Sequence, residues 1–205
     1  MIRVATPGAA FTTAVDGDLR SDPRARHRVS EALGIPSAWA VTRQIHGHAV
    51  VDVEAPGSQG DADALVTSRT MLPLAVLTAD CVGVVAHAEG AVGVAHAGWR
   101  GAAGGVIEAM RRSLEASGGP LRRAVLGPHI GPGCFEVGPE VAERFDGHVS
   151  RTTWGTVSVD LASSIEERLG VEVERLGECT MCGSDGFSHR RDGDDRRMAA
   201  IGWIP

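Results

Sequence analysis

Apolar residues along this chain come mostly in short runs with strand length, broken by Gly, Pro and Asp. Leu74–Thr78 is one such run, and Val82–His87 and Ala91–Ala95 are two more, separated by Glu89-Gly90, which reads as a two-residue hairpin turn. Further strands are predicted at Ala38–Ile45, Ala49–Val53, Arg123–Leu126, Thr156–Val159, Val171–Leu176 and Met198–Ile204. Helical spacing is confined to a few places. Val106, Met110 and Leu114 recur every four residues before Gly118-Gly119. Leu161–Leu169 follows a capping Asp160, Pro139–Phe145 is short, and Ser30–Leu33 ends a short helix at Gly34. The first 30 residues otherwise read as loop with a turn at Asp22-Pro23, Pro56–Asp63 as a Gly- and Asp-rich loop, and residues 127–135 as another loop. Strands outnumber helices and at least one pair is a hairpin, so the expected class is α+β with mixed sheets covered by helices. With no linker and no repeat in 205 residues, one domain spanning 1–205 is expected.

Composition narrows the function classes. The 43% hydrophobic content suffices for an ordinary core, and a net charge of −6 argues against a nucleic-acid partner. No apolar run approaches the roughly 20 residues of a membrane span, and the N-terminus does not read as a signal peptide. Four cysteines in a chain of this length are not a disulfide framework, so a cytoplasmic location is expected.

The hairpin carries the first chemical signal. A two-residue turn at Glu89-Gly90 puts Gly83 opposite His96 and leaves Cys81 one pleat away on the same face. Diagonal neighbours of this kind lie roughly 7–8 Å apart at Cα. A thiolate and an imidazole so placed can meet at one metal ion, and Gly83 is expected to leave room opposite the imidazole. A small buried Cys beside a core His fits the same geometry. Asp80 before the Cys, and Gly98-Trp99-Arg100-Gly101 after the His, favour chemistry, since a Gly-bounded Trp–Arg turn can stack a planar ring and bind an anion.

Several motifs, in order, resemble the laccase-domain family often called YfiH-like. They are Gln44-Ile45-His46-Gly47, Asp61-Ala62-Asp63-Ala64-Leu65-Val66-Thr67, Thr78-Ala79-Asp80-Cys81 and His96-Ala97-Gly98-Trp99-Arg100-Gly101. Gly127-Pro128-His129-Ile130-Gly131-Pro132, Phe135–Val141 and Phe187–Gly193 continue the series to near the C-terminus. The resemblance implies a four-layer α/β/β/α sandwich and a metal held by His46, Cys81 and His96, with Zn²⁺ expected and Cu²⁺ as the second candidate. Two His and one Cys leave the fourth position on zinc open, as catalysis requires. It also implies a purine nucleoside phosphorylase taking adenosine, inosine, guanosine and S-methyl-5′-thioadenosine with phosphate, and deaminating adenosine. Oligomeric state is not implied.

Other roles are expected from chemistry. Arg43 and Arg100 flank two of the ligands in sequence and could clamp phosphate. Asp80 is a candidate for proton transfer or for orienting a ligand histidine. His48 and His129 are expected outside the ligand set, and His189 near the pocket with Arg190. Cys179-Thr-Met-Cys182 has the spacing of a zinc ribbon or a redox motif, but lacks a second pair and a following helix, so it is expected to be structural. Two rivals remain. In one, His96 activates Cys81 as the nucleophile of a metal-free hydrolase or deamidase. The other is a copper polyphenol oxidase, for which eight histidines with a single His-x-His are few.

Overall fold

A computed structural model describes residues 2–205. In chain order its elements are β1 (Arg3–Thr6), β2 (Ala9–Phe11), α1 (Pro23–Leu33), β3 (Ala40–Arg43), β4 (Val50–Asp52), β5 (Gly57–Asp61), β6 (Ala64–Thr67), β7 (Leu74–Thr78), β8 (Val82–Ala88), β9 (Val92–Ala97) and α2 (Trp99–Ala103). Then come α3 (Val106–Gly118), β10 (Leu121–Leu126), α4 (Pro139–Ala142), β11 (Val149–Arg151), β12 (Val157–Val159), α5 (Leu161–Leu169), β13 (Glu172–Arg175), α6 (His189–Asp192) and β14 (Met198–Gly202). Two six-stranded sheets result, ordered β1-β2-β14-β7-β3-β5 and β13-β10-β8-β9-β6-β4. Both are mixed: in the first, β3 runs parallel to β5 and β7 while β14 is antiparallel to β7 and β2, and in the second, β10 runs parallel to β13 and antiparallel to β8. The class is α+β.

Three apolar clusters explain the stacking. Val29 and Ala25 of α1 pack with Trp39, Ala75 and Ile201 on one face of the first sheet. Phe11, Leu74, Val76 and Ala200 meet Leu65, Val85, Val92 and Val94 between the sheets. On the far face of the second sheet, Val84, Ala86 and Ala95 meet Ile107, Met110 and Leu114 of α3 and Ile165 and Leu169 of α5. Strands buried on both faces read as nearly continuous apolar runs, which is why β7, β8 and β9 are evident in the sequence.

The β8–β9 hairpin has the predicted register, with Gly83 opposite His96 and Val82 opposite Ala97. Gly83 has a different purpose from the one expected. A Cβ there would lie 2.7 Å from Ala200 Cβ and 3.2 Å from Thr78 Cγ2, so the missing side chain admits the facing sheet.

Other expectations need correction. Asp22-Pro23 opens α1: Asp22 accepts a hydrogen bond from the Arg24 N–H, and Pro23 takes the first helical position. The segment 56–63 contains β5, an exposed edge strand that needs no apolar alternation because it is held to β3 by backbone pairing and buries little side-chain surface. The first 30 residues hold β1 and β2 as well as most of α1. No helix among the described residues is long and apolar enough to cross a membrane.

Candidate metal centre

The centre forms where the ends of β3, β7 and β9 meet. Gln44 fixes the first: its side-chain amide donates to the Leu77 carbonyl and accepts from the Leu77 N–H, both at 2.7 Å. The chain then turns through His46, whose φ of 58° is left-handed, a conformation that needs support in a residue bearing a Cβ. Asp63 supplies it. Its buried carboxylate accepts from the backbone N–H groups of Ile45, His46 and Gly47 at 3.1, 3.0 and 2.6 Å. The same carboxylate lies 2.8 Å from His96 Nδ1. Asp63 sits just ahead of β6, and the β6–β9 ladder pairs Ala64 with Ala95, so the carboxylate and His96 are neighbours across two strands.

Cys81 follows Asp80, which also has positive φ, 83°. The donor atoms of His46, Cys81 and His96 lie within 4.8 Å of one another, and the two imidazoles meet edge to face with centroids 4.8 Å apart. Gly98 makes this convergence fit, since a Cβ there would stand 3.0 Å from Cys81 Sγ and 3.2 Å from His46 Cδ2. The donors suit a metal: a thiol and two imidazoles, one held through Nδ1 by a carboxylate so that Nε2 is left for an ion. Small side-chain adjustments would bring them to the zinc distances of about 2.0–2.3 Å.

Burial alone would raise the Cys81 thiol, but hydrogen bonds with His46 and His96 bring it down to about 6. Burial opposes a charge on His96, yet its bonds to Asp63 and Cys81 raise it to about 9. Burial likewise opposes the Asp63 charge, and its bonds to His96 and Gly47 still hold it below the usual carboxylate range. Both shifts favour a thiolate–imidazolium pair over the neutral forms in the metal-free centre.

Beside the centre lies a cavity of about 550 Å³. His46, Cys81 and His96 line it together with Asp80, Arg43 and Arg100, so it unites the expected site residues. Leu77, Ala79, Ile130 and Phe135 contribute apolar wall, and Arg20, Arg190 and Arg197 add positive charge. Arg100 is exposed and its guanidinium stacks 4.4 Å from the Trp99 ring centroid. Arg43 is held by a two-pronged contact with Asp61. The Asp80 carboxylate accepts from Thr180 Oγ1 at 2.6 Å and from the Arg190 N–H at 2.7 Å, while the carboxylate at a ligand histidine is Asp63. Sequence reasoning missed Asp63, although it stands in one of the motifs.

The remaining histidines are elsewhere or peripheral. His48 is exposed near Gly104, His129 Nδ1 bonds the Gly127 carbonyl at 2.7 Å, and His189 borders the cavity. Cys179 and Cys182 converge with Cys134, a third thiol that the spacing did not reveal.

A family model described as multi-copper polyphenol oxidoreductase laccase matches residues 12–205. The chain belongs to this family. A relative in Streptomyces griseus called purine nucleoside phosphorylase ORF3 is 36% identical over 209 residues, covering 92% of this chain and 85% of its own. A purine nucleoside phosphorylase of Xylella fastidiosa is 39% identical, with 88% and 78% covered. Among solved structures, the hypothetical protein YfiH of Bacillus licheniformis superposes with a TM-score of 0.85 at 26% identity, covering 100% of this chain and 99% of that one. YlmD from Geobacillus stearothermophilus gives 0.83 at 29%, with 98% and 94% covered. The laccase-family chain thus shares its fold with YfiH-like proteins.

Proposed function

We propose that the chain is a cytoplasmic zinc-dependent purine nucleoside phosphorylase, one catalytic domain over residues 1–205. In this reading it acts on adenosine, inosine, guanosine and S-methyl-5′-thioadenosine and also deaminates adenosine. The observation that carries it is one cavity bordered by a two-His, one-Cys donor set, an apolar wall and several arginines. About 550 Å³ lies within the usual range for small-ligand pockets. The names of the relatives point to nucleoside and phosphate as the substrates.

His46, Cys81 and His96 would hold the ion. When bound, zinc supplies Lewis acidity, which in metalloenzymes makes water a nucleophile near neutral pH. The other residues bind and orient. Leu77, Ala79, Ile130 and Phe135 offer the purine an apolar surface, and Arg100 presents a planar fork to phosphate. Arg43 borders the cavity too, but must share its guanidinium with Asp61, so Arg100 takes the larger part. A phosphate oxygen then bonds to C1′ of the ribose as the C1′–N9 bond breaks, and the proton of hydrogen phosphate passes to the departing purine nitrogen, leaving ribose 1-phosphate as the dianion. Asp80 is a positioning residue here, tying Thr180 and the Arg190 backbone to the turn before Cys81.

A second reading rests on the thiolate–imidazolium pair: Asp63, His96 and Cys81 are also linked as a metal-free nucleophile would require. Copper suits the same donors, and a Cu²⁺–thiolate band in the visible would mark it. Incubating zinc-loaded protein with inosine and with adenosine, with and without phosphate, tests the proposal. Phosphate-dependent release of base with ribose 1-phosphate supports it, and adenosine turning to inosine without phosphate supports the deaminase. Base release that ignores phosphate contradicts phosphorolysis.

A further inference from the structure

Cys134 is buried in the loop after β10, Cys179 is half-buried in the loop after β13, and Cys182 is exposed three residues on. Their sulfurs all lie within 4.8 Å of one another. We propose that these three thiols form a second metal site, a three-thiolate centre for a thiophilic divalent cation of the Zn²⁺ class. The site staples the 177–186 loop to the 127–135 loop.

Three sulfurs around one point suit an ion better than a disulfide, which would join two and leave the third over. Sulfurs held about 2.3 Å from a common zinc stand roughly 4 Å apart, inside the observed spread. The backbone is already arranged for a thiolate: the Gly131 N–H donates to Cys179 Sγ at 3.2 Å. The Thr180 N–H donates to the His129 carbonyl and the Gly183 N–H to the Cys179 carbonyl, fixing the loop around the sulfurs. Cys182 faces solvent, giving an ion its entry and a water its place in the fourth position. Each thiol loses its proton to solvent as it binds.

The staple has a consequence for the first site. Thr180 lies between the two cysteines of the CxxC, and its hydroxyl donates to Asp80, the residue before Cys81. Ile130, in the other stapled loop, donates its N–H to the Asp80 carbonyl and lines the cavity. An ion at Cys134–Cys179–Cys182 would thus hold one cavity wall in place.

The test is metal content of full-length protein purified under reductant, stripped with chelator, reloaded with Zn²⁺ and desalted. Wild type should hold two equivalents and His46→Ala/Cys81→Ala one. Adding Cys179→Ser and Cys182→Ser to that variant should leave none. A folded His46→Ala/Cys81→Ala protein with no zinc overturns the proposal, as does zinc that survives loss of Cys179 and Cys182. So does a mass two hydrogens below the sum of the residues, located to a disulfide among the three. If the variants do not fold, stripped wild type is titrated with Co²⁺. Thiolate-to-cobalt charge transfer should keep rising past one equivalent up to two, whereas an end point at one overturns the site.

Discussion

Around Cys81, one buried carboxylate organises the neighbours: Asp63 holds His96 by a ring nitrogen and the His46 turn by three peptide N–H groups. Around Cys134 the hydrogen bonds come from the backbone, the Gly131 N–H reaching Cys179 Sγ. The charges differ accordingly. Cys81 faces two imidazoles and its thiol falls to about 6, whereas burial and two neighbouring thiols push the Cys134 thiol up to about 12. In the first cluster the imidazoles favour the thiolate even without metal. In the second the groups that converge are three thiols, and the neighbouring Arg191 guanidinium is taken up by the Thr180, Met181 and Gly183 carbonyls. A cysteine's chemistry here follows from what was brought to face it, not from its burial.

The largest expected effect breaks the first cluster. Asp63→Ala leaves three N–H groups and His96 without their acceptor in the interior, which should cost about 3–5 kcal/mol of stability by chemical denaturation. The near-isosteric Asp63→Asn should fold and lose metal affinity at the first centre by about 10- to 100-fold, with binding at the three thiols unchanged.

Arg100→Ala tests the anion side of the same cavity. Losing a charged hydrogen-bond partner should raise the phosphate KM and slow phosphorolysis about 10- to 150-fold, while deamination, which needs no phosphate, is largely spared. Both rates are measured on one preparation matched in metal content. Equal loss of the two would mean that Arg100 supports the site through its stacking on Trp99.

Gly98→Ala is gentler. Its Cβ would press on Cys81 Sγ and His46 Cδ2, and such overpacking should weaken zinc at the first centre about tenfold in a chelator competition. The Cys134 cluster should again be indifferent.

The smallest effect is in reactivity. In metal-free protein the thiolate of Cys81 is lost as pH falls through about 6, so its alkylation should have a midpoint there and not near the ordinary 9. At pH 7 the rate gain is only about fourfold, because nucleophilicity falls along with the pKa. Peptide mapping across pH reads the midpoint, and zinc should protect Cys81.

How much was visible beforehand follows the same divide. The Cys81–His96 relation was legible because the Glu89-Gly90 turn fixes pairing locally, and the observed register agrees. Asp63 was not, because its place beside His96 depends on β6 pairing with β9 from 33 residues away, which no local pattern encodes. The orienting carboxylate was instead expected at Asp80, next to Cys81 in sequence but bonded to Thr180 and Arg190. Cys134 joins the CxxC across a parallel bridge between His129 and Cys179, equally invisible in spacing. Strand β5 and α6 were missed since an edge strand and a four-residue helix bury too little to show an apolar period.

The ion at His46, Cys81 and His96 is expected to be required for turnover. The direct measurement is inosine phosphorolysis by chelator-stripped protein as zinc is returned, beside His46→Ala, whose altered residue is exposed and should not unfold the chain. Wild type should climb from no measurable rate to a plateau, and His46→Ala should stay near zero throughout. Full activity in stripped protein, abolished by alkylating Cys81, would contradict the metal centre and establish the cysteine as the nucleophile.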